Sequence, residues 1–404
     1  MRRFFGAVVA MSVATAARAG DPPRFVYVDL GGLSSFFTIA QSINEHGVTT
    51  GAAFAPFFPG YYTAHAFTRA MDGKLIDIAT QPEINTVFGS WGYDINDQGV
   101  VVGLATFAHA FNPDNMFGVL APPVMWVDGE VISLGLEPGA LGGEAHAVNN
   151  NNQIVGHFGL PSGQPLLQSF LWDNREIRIL DELQDRLSRA WDINDLGHIV
   201  GQAGFPGEGF NPYLVRQHEA TILDFGGAAY GINDHDQVVG VTGLFGFVWE
   251  DGAHITLPTV APQMCLWPRS INNYGDIVGK CTGSFGVLWR EGEVYVLNEI
   301  TPNLPKDTFL GEPFKINDRG QIVGIFFRLG SSIEHAYRLD PVTPDVSGDG
   351  VVDGLDLARL IIAWGSDDPY IDLDGDGVVN TADLTDLLLH WGPVPERKPY
   401  FWTK

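Results

Sequence analysis

The pattern of apolar and polar positions is dominated by one nine-residue motif that occurs seven times. In most copies an apolar residue is followed by Asn, two polar residues, a turn residue, a variable residue, two apolar residues and Gly. The copies read INEHGVTTG, INDQGVVVG, VNNNNQIVG, INDLGHIVG, INDHDQVVG, INNYGDIVG and INDRGQIVG, and they begin at Ile43, Ile95, Val148, Ile193, Ile232, Ile271 and Ile316. A motif that recurs every ~40–50 residues is typical of propellers, solenoids and arrays.

Each copy predicts a β-hairpin. The apolar start ends one strand and the closing apolar pair begins the next. The fifth motif position is Gly in five copies and Asn152 or Asp236 in the other two. These are the residues that tolerate a left-handed backbone, which the turn requires. The motif Asn can hydrogen-bond to its own turn, and this accounts for its presence in every copy.

Two further short strands follow most hairpins. The third is seen in HAFTR from His65 and VLW from Val287, and the fourth in KLIDI from Lys74 and EVYVL from Glu293. Three or four short antiparallel strands per unit favour the blade of a β-propeller. The fold class predicted for residues 20–340 is therefore mainly β, a seven-bladed propeller.

The two ends of this repeat region predict how the ring closes. The seventh copy stops at HAYRLD, from His335, without a fourth strand, while an isolated strand, RFVYVDLGG, stands at Arg24. Joining the two in one blade would complete the ring and remove an exposed sheet edge.

The repeat region resembles the extracellular HAF repeat family, named for the triplet His-Ala-Phe. The triplet is present at His65 and at His109, where it lies inside a long second unit, and nearly so at His335. The resemblance covers residues 38–340 and implies an exported repeat protein.

A different module is predicted after the linker at residues 341–344. Residues 345–392 contain two copies of one unit, 27 residues apart, and each opens with the 12-residue pattern of a calcium loop. Such a loop provides oxygen ligands from positions 1, 3, 5, 7, 9 and 12, with Gly at position 6. The predicted ligands are Asp345, Ser347, Asp349, the Val351 carbonyl, Asp353 and Asp356 in loop one, and Asp372, Asp374, Asp376, the Val378 carbonyl, Asn380 and Asp383 in loop two.

The tandem loops, the Asp at position 12 and one helix after each loop resemble a type I dockerin. Helices are expected over residues 355–364 and 381–391. The resemblance implies two structural calcium ions and a cohesin-like or other surface protein as partner. In the family, loop positions 10 and 11 contact the partner, and here they are Gly354, Leu355, Thr381 and Ala382. The two pairs differ from each other, and neither is the hydroxyl pair of many cellulosomal dockerins.

The N-terminus and the cysteines point to export. Residues 1–19 combine Arg2 and Arg3 with a short apolar run and an Ala-Arg-Ala cleavage site, which is typical of a signal peptide; the alternative is a membrane-tethered N-terminus. The two cysteines, Cys265 and Cys281, flank the sixth motif nearly symmetrically. They are expected to form a disulfide across its hairpin or, alternatively, to be buried free thiols.

Charge and motifs limit the function. A formal net charge of −25 argues against nucleic acid and anionic lipid as partners. The chain has no nucleophile elbow, phosphate loop or zinc-protease motif. Scattered histidines, including His146 and His157, are candidates for a metal site at the propeller axis, but packed or surface roles are the more common ones.

Two functional hypotheses remain. The first is an exported noncatalytic scaffold that binds a glycan or protein and is attached through the calcium module. The second is a polysaccharide-degrading glycoside hydrolase with a propeller catalytic domain, by analogy with other dockerin-bearing enzymes. The final segment, residues 393–404, is either a frayed tail or packed on the calcium module.

Overall fold

The computed structural model describes residues 22–58, 61–80, 89–106, 121–159, 167–260, 265–331 and 333–403. The proposed signal peptide and the His109 triplet lie outside these ranges. Within them the chain forms seven four-stranded antiparallel sheets, as the repeats predict. No helix among the described residues is long and apolar enough to cross a lipid bilayer.

The first six blades each use four consecutive strands. Blade 1 contains β2 Thr38–Ile43, β3 Thr49–Phe58, β4 Tyr61–Arg69 and β5 Leu75–Asp77. Blade 2 contains β6 Ser90–Ile95, β7 Val101–Ala105, β8 Pro123–Val127 and β9 Glu130–Ser133. Blade 3 contains β10 Gly142–Val148, β11 Ile154–Gly159, β12 Leu167–Asp173 and β13 Glu176–Ile179.

The next three blades repeat this order. Blade 4 contains β14 Leu187–Ile193, β15 Ile199–Gly204, β16 Asn211–Arg216 and β17 Glu219–Ile222, with a 3₁₀ turn at Asp181–Leu183 before it. Blade 5 contains β18 Ala228–Ile232, β19 Val238–Thr242, β20 Phe245–Glu250 and β21 Ala253–Thr256. Blade 6 contains β22 Cys265–Ile271, β23 Ile277–Cys281, β24 Gly286–Arg290 and β25 Glu293–Val296.

Blade 7 closes the ring with both ends of the repeat region. It contains β26 Thr308–Ile316, β27 Ile322–Arg328, β28 Glu334–Pro341 and, as its outermost strand, β1 Phe25–Gly31. Phe25 lies opposite Pro341 and Tyr27 opposite Leu339. The predicted closure is confirmed, and the edge of β28 is covered.

The hydrophobic core lies between adjacent blades. Buried side chains of blade 6, such as Val278 and Leu288, pack against Leu310 and Ile322 of blade 7. Within blade 6, Cys265 and Cys281 are Cα partners across β22 and β23. Cys281 is disulfide-bonded.

The C-terminal module has two short helices, α1 Gly354–Ile362 and α2 Thr381–Leu389, and a two-stranded pairing of β29 Val351–Val352 with β30 Gly392–Pro393. Its core contains the symmetry-related residues Leu360 and Leu387, which are fully buried. The module also contacts the propeller, because the hydroxyl of Tyr370 donates to Asp340 at 2.8 Å.

The C-terminal tail begins packed on the calcium module, as one of the two alternatives expected, because the N–H of Val394 donates to the carbonyl of Gly350 at 2.9 Å. Residues 396–403 then return to the propeller, which neither alternative included. The backbone N–H of Tyr400 donates to the carbonyl of Tyr274 at 3.1 Å. The indole of Trp402, which is 8% exposed, donates to the carbonyl of Gly275 at 3.0 Å. Since Gln237 of blade 5 also donates to the carbonyl of Tyr400, the tail packs on blades 5 and 6, and the C-terminal module is anchored at both its ends.

Candidate functional site

The motif Asn residues form a closed ring of hydrogen bonds at one mouth of the central channel. Each Oδ1 accepts the backbone N–H of the residue four positions later in its own turn, as the sequence predicts. In five of the seven, Asn44 among them, it also accepts the N–H two positions later, which for Asn44 is that of His46. Each Nδ2 also donates to the carbonyl of the next motif Asn, at 2.9 or 3.0 Å. The ring runs through Asn44, Asn96, Asn149, Asn194, Asn233, Asn272 and Asn317 and returns to Asn44.

A second ring follows one residue later in each motif. The backbone N–H of each residue donates to the side-chain oxygen of its counterpart in the next blade, at 2.7–2.9 Å. The members are Glu45, Asp97, Asn150, Asp195, Asp234, Asn273 and Asp318. The polar groups of this mouth thus join adjacent blades, and their presence is explained without a ligand.

Five of these seven residues are acidic, and Glu45 is one of them. Burial raises the pKa of Glu45 to about 6, and the nearby charges of Asp318 and Asp97 act in the same direction. The hydrogen bond from the Asp318 N–H lowers the pKa and offsets this rise only in part. This rim therefore carries electrostatic repulsion at neutral pH.

The innermost strand of every blade contains a β-bulge two residues before the motif begins. In blade 4, for example, the ladder register shifts between Ala190 and Asp192, so that Trp191 is left unpaired. The seven bulged residues are Gln41, Tyr93, His146, Trp191, Tyr230, Arg269 and Phe314. Bulges re-aim a side chain and are common beside functional sites.

The bulge also explains the Gly that closes the motif. A Cβ on Gly156 would clash with the carbonyl oxygen of Glu144, and one on Gly201 would clash with that of Arg189. The corresponding Gly of each of the other blades faces the inner strand in the same way. One repeated residue type therefore permits the bulge, while the bulged residue itself varies from blade to blade.

All seven bulged side chains line one cavity of 360 Å³ in the channel. His146 stacks on Tyr93 with ring centroids 5.3 Å apart and contacts Trp191 at 4.6 Å. Trp191 lies edge-on to Tyr230 at 6.0 Å, and the guanidinium of Arg269 lies over Tyr230. The cavity thus has a continuous aromatic wall with polar groups at its margin, the usual composition of a small-molecule site.

An ion-pair bridge separates this cavity from the Asn mouth. Nζ of Lys315, from blade 7, lies 3.6 Å from Oδ1 of Asp94 in blade 2 and 3.8 Å from Oδ1 of Asp192 in blade 4. Burial lowers the pKa of Lys315, but the two carboxylates outweigh burial and raise it above its usual range. The lysine therefore stays charged and closes the middle of the channel.

Two of the scattered histidines meet beside the cavity. Nε2 of His146 lies 3.1 Å from Nδ1 of His157 and 3.4 Å from Oε2 of Glu144. Burial lowers the pKa of both imidazoles, to about 4 for His157, and the charge of Arg189 acts in the same direction. Nearby, Nε of Arg189 and Nε1 of Trp191 are buried without a hydrogen-bond partner among the described residues.

The first calcium loop is held by its first and last carboxylates. Oδ1 of Asp345 accepts the N–H groups of Gly348 and Asp349, and Oδ2 accepts that of Gly350. Asp356 accepts the N–H groups of Ser347 and Asp353. Desolvation raises the pKa of Asp356, but these hydrogen bonds outweigh it and lower the pKa. The carboxylate at position 12 is therefore kept ionised.

The second loop repeats this arrangement. Asp372 accepts the N–H groups of Gly375, Asp376 and Gly377, and Asp383 accepts those of Asp374 and Asn380. The oxygens of Asp372, Asp374 and Asp376 lie within 4.8 Å of one another. Ligands that share one calcium ion lie within about twice the Ca–O distance of ~2.4 Å. The loop therefore fits calcium.

The expected calcium ligands and partner contacts are distributed as follows. Asp353 and Asn380, at position 9 of each loop, cap α1 and α2 through the N–H groups of Leu355 and Ala382. Gly354, Leu355, Thr381 and Ala382 are all exposed at the first turns of these helices. Val351 begins the short strand β29, whereas Val378, at the same position of loop two, lies in a bend.

The helices also present apolar side chains that the module's core does not use. Ile362 and its counterpart Leu389 are 85% and 77% exposed, and Trp364 and Trp391 are about half exposed. These side chains form two exposed apolar faces related by the 27-residue duplication.

Comparison with protein families identifies the C-terminal module. Residues 343–388 match the dockerin type I domain. Dockerin domains bind calcium and occur in secreted proteins, and a dockerin implies a cohesin partner. The protein is thus a seven-bladed propeller followed by a dockerin domain. No curated protein sequence matches the chain.

Among solved structures, an oligogalacturonate lyase from Vibrio parahaemolyticus is 11% identical, with a TM-score of 0.47, over 78% of this chain and 97% of that chain. YCF48 bound to D1 peptide is 10% identical, with a TM-score of 0.46, over 80% of this chain and 99% of that chain. A prolyl endopeptidase is 10% identical, with a TM-score of 0.46, over 78% of this chain and 50% of that chain. These values carry no argument about the chemistry of this chain.

Apart from His146, which the sequence suggested only as a metal ligand, the bulged residues are the functional candidates that the sequence analysis missed. A signal for them was present, because the position two before each motif varies between Gln, aromatic residues, His and Arg. The position before it is always small or Pro, as in Ala190 and Pro268. A variable, aromatic-rich position inside an otherwise constant repeat is expected where a scaffold builds a binding site.

Proposed function

We propose that this protein is an exported, noncatalytic scaffold whose propeller binds a glycan in the channel cavity and whose dockerin domain attaches it to a cohesin. The observation that carries the proposal is the convergence of all seven bulged side chains on one cavity. A repeat that served only to build a ring would have no need for a different large side chain at the same place in each blade.

The chemistry of the cavity suits a sugar. Tyr93, Trp191 and Tyr230 offer flat apolar faces on which the C–H face of a sugar ring packs. Glu144 and Arg269 add an acceptor and a donor at the margin. A protein ligand would need a larger and flatter surface than a cavity of this size.

The dockerin domain would recognise its partner through the first turns and exposed faces of α1 and α2. The predicted contacts Gly354, Leu355, Thr381 and Ala382 begin these helices, and Ile362 and Leu389 continue the two exposed apolar faces. The duplication gives two related surfaces, which differ at the first turn of each helix. We propose that one structural calcium ion in each loop holds them in shape, because removal of the ions leaves the loop carboxylates in mutual repulsion.

The partner hypothesis is tested by capture of a type I cohesin in calcium and in EGTA. Because either face alone can bind, the informative variant carries Ile362→Asp and Leu389→Asp together. It should lose capture at least tenfold, while Leu329→Asp, at a comparably exposed propeller position (73% exposed), should keep it. Absence of calcium-dependent capture by the unchanged protein would remove a cohesin from the proposal.

The ligand hypothesis is tested with a panel of polysaccharides, measuring retention and new reducing ends together. Retention without release is expected, and Trp191→Ala should abolish it. The matched control is Phe245→Ala, an exposed aromatic residue on β20. Release of reducing ends that depends on Glu144 would instead establish the glycoside hydrolase. Equal retention by Trp191→Ala would exclude the cavity as the binding site.

A further inference from the structure

A mixed nitrogen and oxygen cluster lies on two neighbouring strands of blade 3. Glu144 and His146 belong to β10, and His157 belongs to β11, where it is the Cα partner of Glu144. One oxygen or nitrogen atom of each of the three side chains lies within 4.8 Å of the other two. The bulge between Ala145 and Ala147 turns His146 toward the same side as Glu144.

We propose that Glu144, His146 and His157 bind one divalent transition-metal ion at the edge of the channel cavity. The contacts have the spacing that such an ion requires. Ligands about 2.0–2.2 Å from a tetrahedral ion lie about 3.3 Å from one another. The separations here are 3.1 Å between the two imidazole nitrogens and 3.4 Å between His146 and Glu144.

The donor set selects the class of metal. Two imidazoles and one carboxylate suit zinc, cobalt, nickel or iron, whereas calcium and magnesium prefer oxygen ligands alone. The site is therefore chemically distinct from the two dockerin loops, whose side-chain ligands are all oxygen atoms. This difference allows the propeller ion to be measured while the loops are filled with calcium.

The cluster provides three ligands and borders a cavity, which leaves one coordination position for an exogenous oxygen. Glu144 and His146 both line the cavity, while His157 is 8% exposed and lies behind them. Three protein ligands with an open fourth position are the arrangement of catalytic rather than structural zinc sites. The open position faces the aromatic wall formed by Tyr93 and Trp191.

The positive charge of Arg189 would repel a cation bound at this site. It lies on the adjoining β14, and its Nε has no hydrogen-bond partner among the described residues. Glu144 offsets one positive charge, so the ion would be held less tightly than in a closed structural site. The same guanidinium favours an anionic oxygen ligand, such as a carboxylate, in the open position. The proposed ion does not depend on a glycan being the cavity's ligand.

The experiment uses the full chain with excess calcium, titrated with Co²⁺ alone and followed by its visible absorption, and with Zn²⁺ alone by calorimetry. One equivalent of either ion beyond calcium is expected, with a cobalt spectrum that indicates nitrogen ligation. His157→Gln and Glu144→Gln should each weaken binding at least tenfold, since even outer-shell changes cost about 10–100-fold. The matched control is His65→Gln, which removes a half-buried histidine that contacts a single carboxylate, Asp77.

The results decide the proposal without reference to any activity. Cobalt binding that is lost in His157→Gln and kept in His65→Gln supports the site. No equivalent beyond calcium, or an equivalent retained by both His157→Gln and Glu144→Gln, overturns it. If His157→Gln does not fold, as judged by its circular dichroism, the result with Glu144→Gln decides alone.

Discussion

Arg397, near the end of the chain, forms a two-bonded ion pair with Asp276 in the motif of blade 6. Its Nη1 donates to Oδ2 at 2.6 Å and its Nη2 to Oδ1 at 2.5 Å. The carboxylate also receives Arg290 and is almost fully buried. The Asp276 carboxylate therefore has two cationic partners, Arg290 and Arg397. The tail is joined to the ring through this buried carboxylate, where an unpaired charge would be costly.

The first prediction concerns this attachment. Arg397→Gln should release residues 396–403 and raise hydrogen exchange at the Tyr400 amide, which donates to Tyr274. The expected cost is about 1–3 kcal/mol of tail-docking free energy, because Asp276 keeps only Arg290. Arg328→Gln is the matched control, since its pair with Asp29 is largely exposed and should contribute little. Unchanged exchange at Tyr400 in Arg397→Gln would show that the aromatic contacts suffice.

The second prediction separates the two roles of the motif Asn. Asn272→Asp keeps the oxygen that accepts the turn N–H groups of Tyr274 and Asp276 but loses the Nδ2–H donor to the Asn317 carbonyl. The propeller should lose about 1–3 kcal/mol of unfolding free energy, because a buried carbonyl is left unpaired beside a carboxylate.

The control for this change is Asn303→Asp, where an exposed Asn makes equivalent donor and acceptor contacts with Tyr27. Denaturant unfolding of both variants measures the difference. If Asn272→Asp is as stable as the unchanged protein, the motif Asn serves its own turn alone, as the sequence suggested.

The third prediction is a pH effect at the acidic mouth. The pKa of Glu45 is raised to about 6, so its contribution to stability is present below its ordinary pKa and is lost as the pH rises through 6. Glu45→Gln keeps an acceptor for the Asp318 N–H but does not titrate. Its unfolding free energy, relative to that of the unchanged protein, should therefore rise by about 1 kcal/mol from pH 4.5 to pH 7.5, after allowance for partial exposure.

Urea unfolding at the two pH values measures this difference. Glu208→Gln, which removes an exposed carboxylate, controls for the loss of one negative charge. A pH-independent difference between Glu45→Gln and the unchanged protein would contradict the raised pKa.

The fourth prediction concerns calcium. Chelation should remove two ions and lower the unfolding temperature of the dockerin domain, while the propeller transition moves little, because the proposed calcium ligands all belong to the dockerin loops. Asp372→Asn should reproduce the effect in loop two, since Asp372 receives three backbone N–H groups. One transition that shifts as a whole with EGTA, seen by calorimetry, would contradict two separable units.

The blades could be predicted because their determinants are local. The motif places Asn152 and Asp236 in left-handed turns, with φ of 59° at both, and the missing fourth strand of the seventh copy identifies the role of β1. Spacing and residue type were enough for these features, as they were for the dockerin domain.

The features that escaped prediction depend on where separate blades meet. The Nδ2 bond from Asn44 reaches Asn96, and its existence depends on the curvature of the ring rather than on either turn. Ordinary strand alternation, applied without knowledge of the bulge, would give the wrong direction for the Trp191 side chain. Trp402 finds its partner Gly275 more than a hundred residues away, and no periodicity links them.

The central claim is that the bulged residues of the inner strands form the binding site. Hydrogen exchange of the calcium-loaded protein, with and without the polysaccharide it retains best, tests this claim most directly. We expect ligand-induced protection on the inner strands around Tyr93, His146, Trp191 and Tyr230, with the Asn mouth unchanged. Protection confined to the Asn mouth or to the outer strands, with the inner strands unchanged, would contradict it.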